Sequence, residues 1–113
     1  MNKIRAIVKR PDEKIGHVTN ISDSLENLQR TVGGYIETVT IITEEPKVVI
    51  ICNEEGRILN LPYNCTISGI DFYGDIIAVG VSGDEFADLP AAITLKLWNE
   101  EFLELINGRL VSE

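Results

Sequence analysis

The chain has 113 residues, 44% hydrophobic and 25% charged, with a formal net charge of −8. That length suits a single domain over residues 1–113, and the composition excludes a disordered acidic tail. No apolar run nears the ~20 residues of a membrane helix, and the start Met1-Asn2-Lys3-Ile4-Arg5 lacks the unbroken apolar stretch of a secretory signal, so a cytoplasmic protein is expected.

Residues 2–9 read as a first strand, with Ile4, Ala6 and Val8 alternating against a mostly basic face. Pro11-Asp12 marks a turn, and residues 14–20 allow a short second strand. A helix opens at Ser22-Asp23-Ser24, where either serine can cap it. Leu25, Leu28 and Val32 repeat at helical spacing, and Gly33-Gly34 stops it. Residues 35–42 form a β run rich in Thr, Val and Ile. Residues 47–52 contain Val48-Val49-Ile50-Ile51, a run suited to a central strand covered on both faces. The turn Asn53-Glu54-Glu55-Gly56 leads to an expected return strand over 57–61. Residues 62–74 show no clear period and read as irregular, a natural place for a binding loop. Residues 75–81 read as a further strand. The last expected element is a helix with Pro90 in its first position and Leu95, Trp98, Phe102, Leu105 and Ile106 on one face.

The order β-β-α-β-β-β-β-α predicts an α+β fold, a mostly antiparallel sheet of five to six strands with both helices on one side. Edge strands left at its margins offer a route to homo-oligomers.

Charge is unevenly placed. Residues 1–30 carry six Lys/Arg and four Asp/Glu, whereas residues 31–113 carry four and fourteen. An acidic body repels phosphate backbones, so no direct nucleic-acid binding is expected. It keeps a small protein soluble, or attracts a basic protein groove.

Catalytic signatures are missing. There is no phosphate loop, dinucleotide fingerprint or nucleophile elbow, and His17 is the only histidine. Two cysteines, Cys52 and Cys65, sit in β runs as buried thiols, too few with one histidine for a zinc site. Neighbouring carboxylates such as Glu44-Glu45, Glu54-Glu55 and Asp84-Glu85 read as solvated turns. No enzyme, metal or cofactor is expected. The candidate ligand residues are Gly33, Gly34, Tyr35, Arg57, Tyr63 and Asn64. The two glycines serve as a helix stop, and their N–H groups also offer an anion cradle. The tyrosines can stack a ring. Arg57 suits either a phosphate or carboxylate ligand or a structural salt bridge.

Four blocks appear in order: Val32-Gly33-Gly34-Tyr35-Ile36-Glu37, Ile50-Ile51-Cys52-Asn53-Glu54-Glu55-Gly56, Leu59-Asn60-Leu61-Pro62-Tyr63-Asn64 and Asp75-Ile76-Ile77-Ala78-Val79-Gly80. With Asp84–Pro90 before the last helix, they resemble the domain of unknown function 3846 family across nearly the whole chain. The resemblance implies a setting in bacteria, phages and other mobile elements, and by association a counter-defence role. The expected function is a binding protein that sequesters a small nucleotide-like immune signal at an oligomer interface. The alternative is an acidic inhibitor of a host defence protein, such as a CRISPR effector, by nucleic-acid mimicry.

Overall fold

The computed structural model describes residues 3–103. Strand β1 (Lys3–Lys9) pairs antiparallel with β2 (His17–Ser22), from Lys3 opposite Ser22 to Val8 opposite His17. Helix α1 (Leu25–Val32) follows. Ser24 caps it by accepting from the Asn27 N–H, and Gly33 ends it at φ 82°, the left-handed conformation that glycine adopts without penalty. Of the two serines at the helix start, Ser24 is thus the cap. Strands β3 (Ile36–Ile42) and β4 (Lys47–Asn53) form the next antiparallel pair, with a bulge between Thr40 and Ile42.

The expected return strand over 57–61 is absent. Residues 54–61 instead wind through tight turns, with the Leu59 N–H bonded to Glu55 O and the Leu61 N–H to Gly56 O. Asn60 at φ 58° breaks any extended course. Ile58 and Leu59, which suggested a strand, face solvent.

The segment 62–74 also differs from expectation. It is a hairpin of β5 (Tyr63–Ile67) and β6 (Ile70–Tyr73), turning at Ser68-Gly69 with φ of 52° and 77°. Two consecutive positive φ values match the right-handed strand twist, which is why such tight hairpin turns close well.

Strand β7 (Ile76–Ser82) is the true neighbour of β4 and also pairs with β1 through Ile76–Ala78. The end of β7 pairs with a strand missed in the sequence, β8 (Glu85–Ala87). The main sheet therefore runs β2-β1-β7-β4-β3, with β8 against β7, and every pairing is antiparallel. Gly80 permits the close packing here, since a Cβ would stand 2.3 Å from Asp88 O.

Both faces of β4 and β7 are apolar, so both need cover. Leu28 and Val32 of α1 pack over Val49, Ile51, Ile77 and Val79 on one face. The β5–β6 hairpin and the C-terminal part cover the other, where Cys65, Ile67, Phe72, Leu89 and Trp98 meet Ile50, Ile76 and Ala78. The helices thus lie on opposite faces, and the one-sided cover expected from the sequence is corrected.

The last helix is shorter than the apolar pattern suggests. Thr94 caps α2 (Leu95–Leu97), so Leu95 and not Pro90 holds the first helical position, and a π-helical turn over Trp98–Phe102 follows, closed by the Leu103 N–H to Trp98 O. Pro90 sits in a preceding turn, where its carbonyl accepts from Ile93. Trp98 is fully buried, donates from Nε1 to Ile15 O at 2.9 Å and stacks on Phe102. Leu105 and Ile106 lie outside the described residues.

Candidate functional site

The sheet order sorts the charge. The basic strand β1, with its partner β2, lies toward one margin, and β4 and β3 toward the other, beside the acidic loop 54–61. Between β3 and the hairpin lies a cleft of about 430 Å³. Its floor is apolar, with Val39, Cys52 and Phe72, and its rim carries the exposed Ile70 with Glu37, Glu54, Asp71 and Arg57. That volume is within the range of ligand sites.

A hydrogen-bonded chain runs along the outer side of the hairpin. Thr66 Oγ1 donates to Asp71 Oδ1 at 2.6 Å, so the Tyr63 hydroxyl next to it donates to Thr66. Asp71 Oδ2 lies 3.8 Å from Arg57, whose Nη2 donates to the Tyr73 hydroxyl at 3.1 Å. The guanidinium also lies 5.2 Å from the Tyr73 ring centroid, and Tyr73 meets Tyr63 edge-on. Burial pushes the Tyr63 phenol above its ordinary value. Arg57 is nonetheless mostly exposed, which leaves donors of its fork open to solvent.

The structure brings Arg57 and Tyr63 into this one network but does not gather the other candidates there. Gly33, Gly34 and Tyr35 line a separate depression of about 300 Å³ on the far side of Asn53. The anion cradle is corrected: the N–H groups of Gly33 and Gly34 both donate to Gln29 O, at 2.8 and 3.0 Å, and finish the helix. The carbonyl at a helix end needs such partners, so these donors are spent. Tyr35 is 71% exposed.

Asn64 is buried and cannot meet a ligand from outside. Its Nδ2 donates to Lys9 O and Gly74 O at 2.8 and 2.7 Å, and its Oδ1 accepts from the Lys9 ammonium at 2.8 Å. Lys9 itself is only 3% exposed, and burial holds its amine below the ordinary lysine value. The amide is a latch between β1 and the hairpin.

Sequence reasoning missed Tyr73, Asp71, Glu37 and Asn53. Asn53 anchors the loop, donating to Val32 O and accepting from the Glu55 N–H. The signal for Asp71 and Tyr73 was present in Ser68-Gly69, a two-residue hairpin turn that aims alternate residues of β6 outward. Among the described residues no helix is long and apolar enough to cross a membrane, and no group of three or more metal-ligating side chains converges.

The model of the family described as "Domain of unknown function (DUF3846)" matches residues 4–103. The chain belongs to this family. No curated protein and no solved structure matches it. The matched span of this DUF3846 chain takes in both sheets and the cleft between them.

Proposed function

We propose that this DUF3846 chain is a non-catalytic binding protein whose working surface is the acidic face around the cleft, and that it engages a positively charged protein. The observation that carries the reading is the rim itself. Glu37, Glu54 and Asp71 stand against one guanidinium, which Asp71 already faces at 3.8 Å, so the rim keeps a net negative charge. Apolar side chains of the neighbouring loop and depression, Ile58, Leu59 and Tyr35, are exposed as well. Apolar surface with a charged rim is the usual make-up of a protein interface. The mobile-element setting implied by the family resemblance makes a host defence protein, met in the host cytoplasm, the proposed target.

The test is affinity capture of a defined defence protein at low and high salt. Exposed charge pairs are screened, so capture should fade as salt rises. A Glu37→Lys/Glu54→Lys variant should lose it at low salt as well. Equal capture by the variant and the wild type would refute the proposal.

A second reading is uptake of a small nucleotide-like signal in the same cleft. Arg57 over the Tyr73 ring favours it, because an open guanidinium next to an aromatic suits a phosphate and a base. Calorimetry against cyclic nucleotides and cyclic ADP-ribose derivatives decides. Heat that Arg57→Ala abolishes supports uptake, and silence across the panel removes it.

A further inference from the structure

Strand β3 ends the sheet on its acidic side, and among the described residues no strand pairs with its outer edge. The ladder fixes which groups that edge presents. The Glu54 N–H donates to Tyr35 O at 2.9 Å, and the pairs from Ile36–Asn53 to Thr40–Val49 continue without a shift. Bonded and non-bonded pairs alternate in an antiparallel ladder. Glu37 and Val39 therefore turn their N–H and C=O groups to β4, while Ile36, Thr38 and Thr40 turn theirs outward.

Edges of this kind are normally blunted by lysine, proline, a bulge or an inward charge. Between Ile36 and Thr40 there is no lysine and no proline, the bulge comes only after Thr40, and the one charge, Glu37 on the cleft side, guards the edge against an acidic strand while leaving it open to a basic one. The side chains sort by face. Glu37 and Val39 lie toward the cleft, and Ile36 packs with the α1 layer. A strand laid along this edge would place alternate side chains over the cleft, toward Glu37, Glu54 and Asp71.

The geometry points to strand addition: an extended basic segment of the partner pairs with the edge of β3 and lays Lys or Arg side chains into the cleft. This rests on the acidic docking face proposed above and says how the partner is held. Main-chain bonds supply affinity and the alternate side chains supply selectivity. A second copy of this chain is a poor occupant, because it brings the same carboxylates to a rim that already holds three.

The probe is a labelled peptide, Lys-Thr-Lys-Val-Lys-Thr-Lys, with its all-Glu counterpart as control, followed by anisotropy against the full chain. The lysine peptide should bind and the glutamate peptide should not. Thr38→Pro removes one outward N–H and leaves the β4 ladder intact, a position where edge strands tolerate proline. It should weaken binding at least ~10-fold, the loss expected from about 1.4 kcal/mol of main-chain contact. Hydrogen exchange on the wild type gives a readout independent of any variant: peptide should slow the amides of Ile36, Thr38 and Thr40. Binding that is salt-sensitive but indifferent to Thr38→Pro, without that protection, overturns strand addition and leaves the acidic docking face standing. No binding of the lysine peptide overturns both. Self-association by sedimentation that Thr38→Pro abolishes overturns the basic occupant in favour of a second copy.

Discussion

Replacing Asn64 by leucine tests the buried latch. The two side chains are close in size, so the change removes hydrogen bonds more than volume. It breaks three: Nδ2 to Lys9 O, Nδ2 to Gly74 O, and the Lys9 ammonium to Oδ1. The ammonium of Lys9, a residue 3% exposed, then loses its nearest acceptor and keeps the longer bond to Asn64 O at 3.4 Å. Stripping one partner from a buried charge costs about 3–5 kcal/mol, and each orphaned carbonyl adds about 1–3. Partial rehydration lowers the sum, and we expect Asn64→Leu to cost about 4–6 kcal/mol. That is a large share of the ~5–15 kcal/mol that holds a domain together. In urea the midpoint should fall by roughly 1–6 M, given a slope of about 1–3 kcal/mol per molar. Fluorescence of Trp98, the sole tryptophan and fully buried, reports the transition. Lys9→Met should cost about 1–3 kcal/mol, less than Asn64→Leu, because it removes the buried charge but leaves Asn64 Oδ1 without its donor. The double variant should then be less damaged than Asn64→Leu alone, with a coupling of about 1–3 kcal/mol. A loss under about 1 kcal/mol for Asn64→Leu, or simple additivity in the double variant, would refute the reasoning.

The same lysine predicts a pH effect. Burial holds its folded value below 10.5, so between that lowered value and 10.5 the unfolded chain binds more protons. Stability contributed by this site therefore rises with pH across that window, and the charging cost is fully present below it. Urea midpoints should show wild type gaining on Lys9→Met as pH climbs toward 10.5, and a constant gap between them would contradict this. Trp98→Ala should cost about 3–5 kcal/mol by urea denaturation followed by circular dichroism, since it opens the core and strands Ile15 O. Cys52 and Cys65 are free thiols pushed up to about 11, chiefly by burial. At neutral pH both should resist a thiol reagent until the protein unfolds, and fast labelling of the native protein would count against their placement.

Local signals were legible where one short segment decides the outcome. Ser24 and Gly33 bracket α1 because capping is a matter of adjacent residues. The run Val48–Ile51 marks a strand buried on both faces for the same reason. Pairing is not local. Residues 57–61, with three apolar side chains after a turn, resemble a return strand, yet β7 takes the place beside β4 and leaves Ile58 and Leu59 in solvent. A turn followed by apolar residues cannot say which strand wins a neighbour. The candidate site failed on accounting. Gly33, Gly34 and Asn64 are polar donors of the right type, but packing assigns each of them an internal acceptor. Arg57 and Tyr63 met because a hairpin unseen in the sequence brought Asp71 and Thr66 between them.

Arg5 ties distant parts of the chain together. Its guanidinium donates to the carbonyls of Leu89, Pro90 and Ile93, its N–H to Asp88, and its carbonyl accepts from Leu89. The start of β1 therefore completes its bonding only with residues more than eighty positions later. During synthesis that strand must wait, half-satisfied, until residues 88–93 have left the ribosome. Contacts closed over such long loops form late, so the start of β1 should lock in near the end of folding rather than as it emerges.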